Sequence, residues 1–500
     1  MAVLGAVTAA APADSPANAP KPVLKVGFAE RDITPELGME MPGGYGKVFH
    51  RQLHDPCKVR AVVFDDGRRR VALVGLDALM VPRALVIAAR TQIHNRCGIS
   101  PDAVLIAASH SHSSGPLGMV QPGEFDHASP LVRSLAYEKS SCADARYLAR
   151  VQNEIVAAVE QANSSRVEAC CAAGAGIENT VAFNRRFLMN NGLTYTHPGK
   201  GNPGIVRVSG PTDPQVGVIG AWDLKGKSLG CVVSFACHAT TSPPGISANW
   251  IYYLEKTIRG TMGSEATVVF LQGFSGDVTQ VDNLSKFDER PAEDSARYVG
   301  SRVGAEAVKV LVSIGQGTLV PLDARSRLLR LSRRIPDPQR VQRCVEMVQK
   351  EPTATNQTEW TFAKEIVLLD ALLAMESSVE AEVQAIQLGP VVLVAAPGEM
   401  FCQLGLDLKA ASPFPLTFPV ELANGCVGYV PTEDAFGDHG GGYETRLTSY
   451  SNLEPGAGTK MVGAAIELVR AMRIGGVAAS RPAAPVQAPW SYGSVPPELR

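Results

Sequence analysis

The sequence predicts an α/β fold: one large catalytic domain of mixed β-sheets flanked by helices, with its active site at strand ends. Three observations point there. Apolar runs of strand length alternate with longer segments of helical period. No internal repeat and no Pro/Gly/Ser-rich linker divides the middle of the 500 residues, and large α/β units do reach this length. Four of the apolar runs stop on residues capable of chemistry, and strand ends are where such scaffolds present function to a cleft.

In chain order, residues 1–22 are rich in Ala, Pro and Ser, with little to bury, and are expected to be a disordered leader or a signal remnant. Their short apolar segment is followed by small residues of the kind a signal peptidase cuts, though no Lys or Arg precedes it. This points to a secreted or periplasmic location rather than a cytoplasmic one. The ordered domain is expected over 23–475. Residues 59–64 and 70–76 read as a hairpin turning at Asp65-Asp66-Gly67. Residues 82–96 read as a helix and 103–108 as a short buried strand. In 144–162, Leu148, Val151, Ile155 and Val159 share one helical face behind an Asp144 cap. A second hairpin spans 216–222 and 229–237, turning at Lys225-Gly226-Lys227. Residues 266–271 form a buried strand and 296–311 a helix. A third hairpin joins 382–388 to 391–396 through Gly389-Pro390, and 460–473 is the last helix. Residues 476–500 return to a Pro/Ala-rich tail.

Composition removes several function classes. Lys plus Arg number 47 against 49 Asp plus Glu, a net charge of -2, which gives no reason to expect nucleic acid as a partner. The local basic stretch Arg325, Arg327, Arg330, Arg333 and Arg334 is interleaved with leucines and reads as a strand with solvated arginines on one side. No apolar run reaches the ~18 residues of a membrane helix, so no transmembrane segment is expected. The ten cysteines contain no Cys-x-x-Cys pair, and most of them, flanked by apolar residues, read as buried thiols. Nothing in the composition sets the oligomeric state.

The candidate chemistry lies at the strand ends. Ser109-His110-Ser111-His112-Ser113-Ser114-Gly115-Pro116 follows the strand at 103–108, and a spacing of two aims both imidazoles to one side if strand geometry continues. His238 follows the second hairpin. Glu399 ends the third, after a run that should be buried, where a carboxylate needs a partner or a metal. Two His and one Glu form a set suited to catalytic zinc with a fourth position left open. Taken singly, each residue also fits a structural hydrogen bond, a cap or a salt bridge. Gly273-Phe274-Ser275-Gly276-Asp277 approaches a nucleophile elbow, but Asp277 stands where that motif needs Gly, so a Ser/His/Asp hydrolase fails its own pattern. Its glycines instead suggest a tight turn with backbone amides facing an oxyanion.

These residues, in this order, resemble the neutral ceramidases, zinc-dependent amidases that split ceramide into sphingosine and fatty acid. The resemblance runs through Gly27-Phe28-Ala29-Glu30-Arg31-Asp32-Ile33-Thr34-Pro35 and Gly43-Gly44-Tyr45-Gly46 to the His110/His112 motif. It continues through Phe183-Asn184-Arg185, His238-Ala239-Thr240, Gly276-Asp277-Val278-Thr279, Pro397-Gly398-Glu399 and Gly428-Tyr429-Val430-Pro431-Thr432. It implies zinc as cofactor, held by His110, His238, Glu399 and Tyr429. It further implies a substrate site with His112 and Arg185, and it matches Tyr443-Glu444 to a Tyr-Glu pair of the family. Thr279 falls where the family has a catalytic serine in Gly-Asp-Val-Ser-Pro-Asn. Thr279 keeps the hydroxyl, but Gln280-Val281 replace Pro-Asn. The segment from Glu399 to Tyr429 is also short for the family, and the immunoglobulin-like C-terminal domain is expected to be absent. The implied activity is hydrolysis of an amide bond in a small or acylated substrate. A non-ceramide ester or lactone, or a non-catalytic binding role on the same scaffold, remain the alternatives.

Overall fold

Between Lys58 and Asp65 every residue is buried on both faces, so this strand can only be interior to a covered sheet. The structure is a computed structural model describing residues 24–287, 290–476, 490, 492–493 and 495–500. The leader expected at 1–22, and most of the tail expected at 476–500, lie outside the described residues.

The main sheet has eight strands: β1 (Lys25–Asp32), β2 (Lys58–Asp65), β3 (Arg70–Leu76), β4 (Val104–Ala108), β5 (Val167–Ile177), β6 (Gln215–Asp223), β7 (Ser228–Phe235) and β8 (Thr267–Gln272). Their spatial order is β8-β7-β6-β5-β1-β2-β3-β4. The pairs β3/β4 and β7/β8 are parallel and the others antiparallel. The sheet curls so that β8 also packs across β2, β3 and β4, bringing its two parallel ends together. Helices α1 (Arg83–Cys97) and α3 (Ala145–Ser164) cover one side, and α3 begins at the expected Asp144 cap, whose side chain accepts from the amides of Arg146 and Tyr147. Helices α4 (Trp250–Met262) and α5 (Ala292–Ser313) pack on each other, with α5 against β5 and β6.

A second sheet orders β9 (Leu322–Ser332), β10 (Ser378–Leu388), β11 (Val391–Ala395) and β12 (Leu416–Val420) side by side, the last pair parallel. Helices α8 (Cys402–Ala411) and α9 (Ala457–Arg470) cover it. Helices α2 (Pro130–Tyr137), α6 (Pro338–Val348) and α7 (Gln357–Leu373) form a separate helical cluster around Phe125, Leu135, Trp360 and Leu368. The α/β expectation holds. Helix α5 is longer than its periodic core, and α9 starts and ends about three residues earlier than expected. The arginine stretch divides: Arg325, Arg327 and Arg330 are exposed on β9, whereas Arg333 donates to Asn452 and Arg334 to the carbonyls of Thr445 and Ser451. All ten cysteines are free thiols, and no described helix is long and apolar enough to cross a membrane.

Candidate metal centre

Four strands deliver the site, each at its carboxyl end. Beyond β4 the chain turns at His110, whose φ of 62° is left-handed, a conformation costly for a residue with a Cβ and concentrated at functional sites. The loop is pinned on both sides: the amides of Ser109 and Ser111 donate to the carbonyls of Leu76 and Ala78, and that of His112 to Ala239. The left-handed turn aims the His110 ring inward, where it is 2% exposed, and its Nδ1 sits 3.0 Å from the carbonyl of Leu79. Beyond β7, His238 is 1% exposed with Nδ1 2.7 Å from the carbonyl of Ser275. A carbonyl only accepts, so each Nδ1 carries the proton and each Nε2 presents a lone pair to the interior.

Glu399 completes the set. Its short strand pairs in parallel with Tyr429, and its carboxylate is 2% exposed. Glu399 Oε2 lies 3.2 Å from both His110 Nε2 and His238 Nε2 and receives no hydrogen bond. Oε1 accepts the hydroxyl of Tyr450 at 2.7 Å. The three ligand atoms lie within 4.8 Å of one another. Three buried lone-pair groups facing one another with one oxygen orphaned form an arrangement that a cation satisfies and a proton-poor interior does not. Both imidazoles also have their second nitrogen fixed by a carbonyl, as metal-bound histidines do. The residues therefore fit a zinc-type ion. Burial, reinforced by Arg185 and His110, lowers the His238 pKa to about 4.

His112 stands beside this group, its Nε2 3.2 Å from His110 Nε2 and the two rings nearly perpendicular at 88°. Arg185, far from being a surface residue, is 6% exposed and tied at every nitrogen. Its Nε donates to Glu444 at 2.8 Å, and Nη2 to the carbonyl of Gly276 at 2.8 Å and to the phenol of Tyr429 at 3.1 Å. Nη1 faces His238 Nε2 at 3.3 Å. Glu444 also holds Arg186 at 2.7 Å and accepts from Thr196 at 2.6 Å. Burial would raise its pKa, yet the two guanidinium groups hold it below the usual carboxylate value. Tyr429 packs edge-on against Tyr443 at 5.3 Å and Tyr450 at 5.9 Å. Burial, with Glu399 nearby, pushes the Tyr443 phenol up to about 12. Thr279 is buried, pairs with Phe183, and its hydroxyl accepts from the amide of Val281.

In the Gly273–Asp277 turn, where the glycines suggested amides facing a substrate, the amides of Gly273, Ser275 and Gly276 are taken up within the protein. The amide of Ser275 donates to Glu421 at 3.0 Å and that of Gly276 to the carbonyl of Met400 at 2.8 Å. A side chain at Gly276 would place Cβ 2.4 Å from the carbonyl of Glu399, so glycine is required there by close approach. Ser275 is fully buried, its hydroxyl donating to Glu421 and accepting from Gln272, which removes it as a nucleophile. Sequence reasoning gave Glu444 no role and missed Glu421 and Tyr450 altogether. For Glu421 a signal existed, an acid at the end of the apolar run Phe418-Pro419-Val420; for Tyr450 there was none.

Neither a family model nor a curated protein matches the sequence. Among the solved structures that match are two that each cover 92% of this chain. The neutral ceramidase from Pseudomonas aeruginosa is 19% identical at a TM-score of 0.65, with 77% of that chain covered. A ceramidase complexed with C2 is 18% identical, also at a TM-score of 0.65, with 78% covered. The chain has the neutral ceramidase fold.

Proposed function

We propose that the chain is a zinc-dependent hydrolase that cleaves an amide bond by means of water and a polarised carbonyl. The observation carrying this reading is the meeting of His110 Nε2, His238 Nε2 and Glu399 Oε2 in one buried group whose carboxylate oxygen has no hydrogen-bond partner in the protein. The reaction class is supported by the ceramidase names of the structures that share the fold. His110, His238 and Glu399 would hold the ion, with Tyr429 the proposed fourth ligand. Bound there, zinc supplies Lewis acidity toward a carbonyl oxygen and toward water.

The remaining steps belong to the side chains. His112 is the proposed proton acceptor, since its ring faces the centre and burial, with His110 and His238 beside it, lowers its pKa well below the ordinary imidazole value and leaves the ring neutral. Arg185 is a guanidinium already fixed by Glu444 and Gly276, so it can stabilise developing negative charge without reorganising. Tyr443, half-buried against Tyr45 and Tyr429, is proposed to donate to the substrate, and Thr279 to position it. The proposed substrate is a small or acylated amide, with ceramide as one candidate.

The test is metal analysis of the purified, zinc-reconstituted chain beside assays on long-chain N-acylsphingosine, short N-acyl amides and lactones. About one zinc per chain and amide hydrolysis are expected, both lost in His110→Ala. Hydrolysis unchanged in His110→Ala, or a chain that retains no zinc, overturns the reading. Turnover confined to lactones keeps the metal and replaces the amide.

A further inference from the structure

Helix α7 carries a lysine whose ammonium lies in the interior. Lys364 is 1% exposed and the adjacent Glu365 is 2% exposed, and the two form an ion pair at 3.1 Å. Neither residue touches the metal centre. Apolar residues of similar volume would serve a core at least as well as a buried ion pair, so what the pair holds is informative.

It holds two different walls of the site. Lys364 Nζ donates to the carbonyl of Tyr45 at 2.5 Å and to Ser140 Oγ at 2.6 Å. Tyr45 lies two residues from Gly43, whose backbone lies against the His112 ring, and its own ring packs on Phe362 of α7 and on Tyr443. On the other side, Glu365 Oε2 accepts from Ser449 Oγ. The next residue, Tyr450, donates its hydroxyl to Glu399 Oε1 at 2.7 Å. Between the two walls lies a cavity of about 40 Å³ whose lining includes Tyr45, Ser140, Ser141, Glu365 and Tyr450. Ser141 Oγ is buried there without a protein partner, and the space is large enough for water.

We propose that the Lys364–Glu365 pair is a positioning device for the metal centre, setting the Glu399 carboxylate through Ser449 and Tyr450 and the wall facing His112 through Tyr45. The proposal rests on the metal-centre reading above. It gives the hydrogen bonds of two interior side chains a role on a helix that reaches no ligand itself.

The experiment measures Zn²⁺ affinity of the full-length apoprotein by competition with a fluorescent chelator, with the apoprotein thermal midpoint recorded alongside. Lys364→Met combined with Glu365→Leu removes both charges and the acceptor for Ser449. A folded protein with zinc affinity weakened about 10-fold or more is expected. Lys364→Met combined with Glu365→Gln also removes the charges but keeps an acceptor for Ser449, and is expected to recover most of that loss. Tyr450→Phe deletes one hydroxyl and should weaken zinc by a similar factor. Wild-type affinity in the folded Leu-containing variant, or equal weakening in the Leu- and Gln-containing variants, overturns the proposal. If the Leu-containing variant does not fold, undiminished affinity in Tyr450→Phe overturns it. A wild-type chain that takes up no zinc is a different failure, of the metal centre itself, and shows before any variant is compared.

Discussion

A Cβ added at Gly43 would lie 2.3 Å from His112 Nδ1, and the residue has φ of 107°, so both space and backbone demand glycine there. Gly43→Ala must push the His112 ring aside while leaving the three proposed ligands in place. The expected result is turnover reduced about 10²-fold with zinc content unchanged; unchanged turnover would remove His112 from the chemistry. Glu444→Ala leaves Arg185 and Arg186 buried without their shared counter-charge. It should cost about 3–5 kcal/mol in urea unfolding and lower the hydrolysis rate, because nothing else fixes Arg185 Nε. At this scale the sequence carried His110, His238 and Glu399, since a polar residue directly after an apolar run signals itself. It did not carry Tyr450 or the role of Glu444. Their partners lie 51 and 259 residues away, and only folding brings them together.

Between elements, β2 and α4 are joined by a buried charge cluster. Glu255 of α4 meets Arg60 of β2, with Lys58 and Arg259 each at 2.9 Å. Burial would raise the Glu255 pKa, but Arg60, Lys58 and Arg259 outweigh it and hold it at about 2. A carboxyl depressed on folding contributes stability above its unfolded value of about 4.3, and loses it as pH falls through about 2. Glu255→Gln should therefore cost about 3–5 kcal/mol at neutral pH, with the gap to wild type narrowing toward pH 2. A gap that stays constant across urea titrations at several pH values would contradict this assignment. Helix α4 was itself not legible, because Trp250, Ile251, Tyr252 and Tyr253 favour a strand by propensity and tertiary packing overrides them. Helix α7 was missed for another reason. Its apolar residues lie on several sides, with Lys364 and Glu365 buried among them, so it shows no clean stripe.

Over the whole molecule, the curl of the eight-stranded sheet and its junction with the second sheet decide where chemistry can occur. Ala107 of β4 bridges Ala423, just past β12, and the ends of β4, β7, β8 and β11 meet at one place. The α/β class and the strand-end placement were legible because apolar runs and their terminal residues are local features. The curling was not, since it depends on β8 crossing strands that lie far earlier in the chain. Because the proposed ligands come from both sheets, zinc should stabilise the molecule as a whole. Added zinc at about 1,000 times its Kd should contribute about 4 kcal/mol, read as a thermal midpoint that rises with metal concentration. The most direct test of the account is anomalous diffraction at the zinc edge from crystals of the zinc-loaded protein. The account predicts one strong peak bounded by His110 Nε2, His238 Nε2 and Glu399 Oε2. A zinc-loaded crystal with no peak there, or with its peak bound elsewhere while these three side chains keep their places, would contradict it.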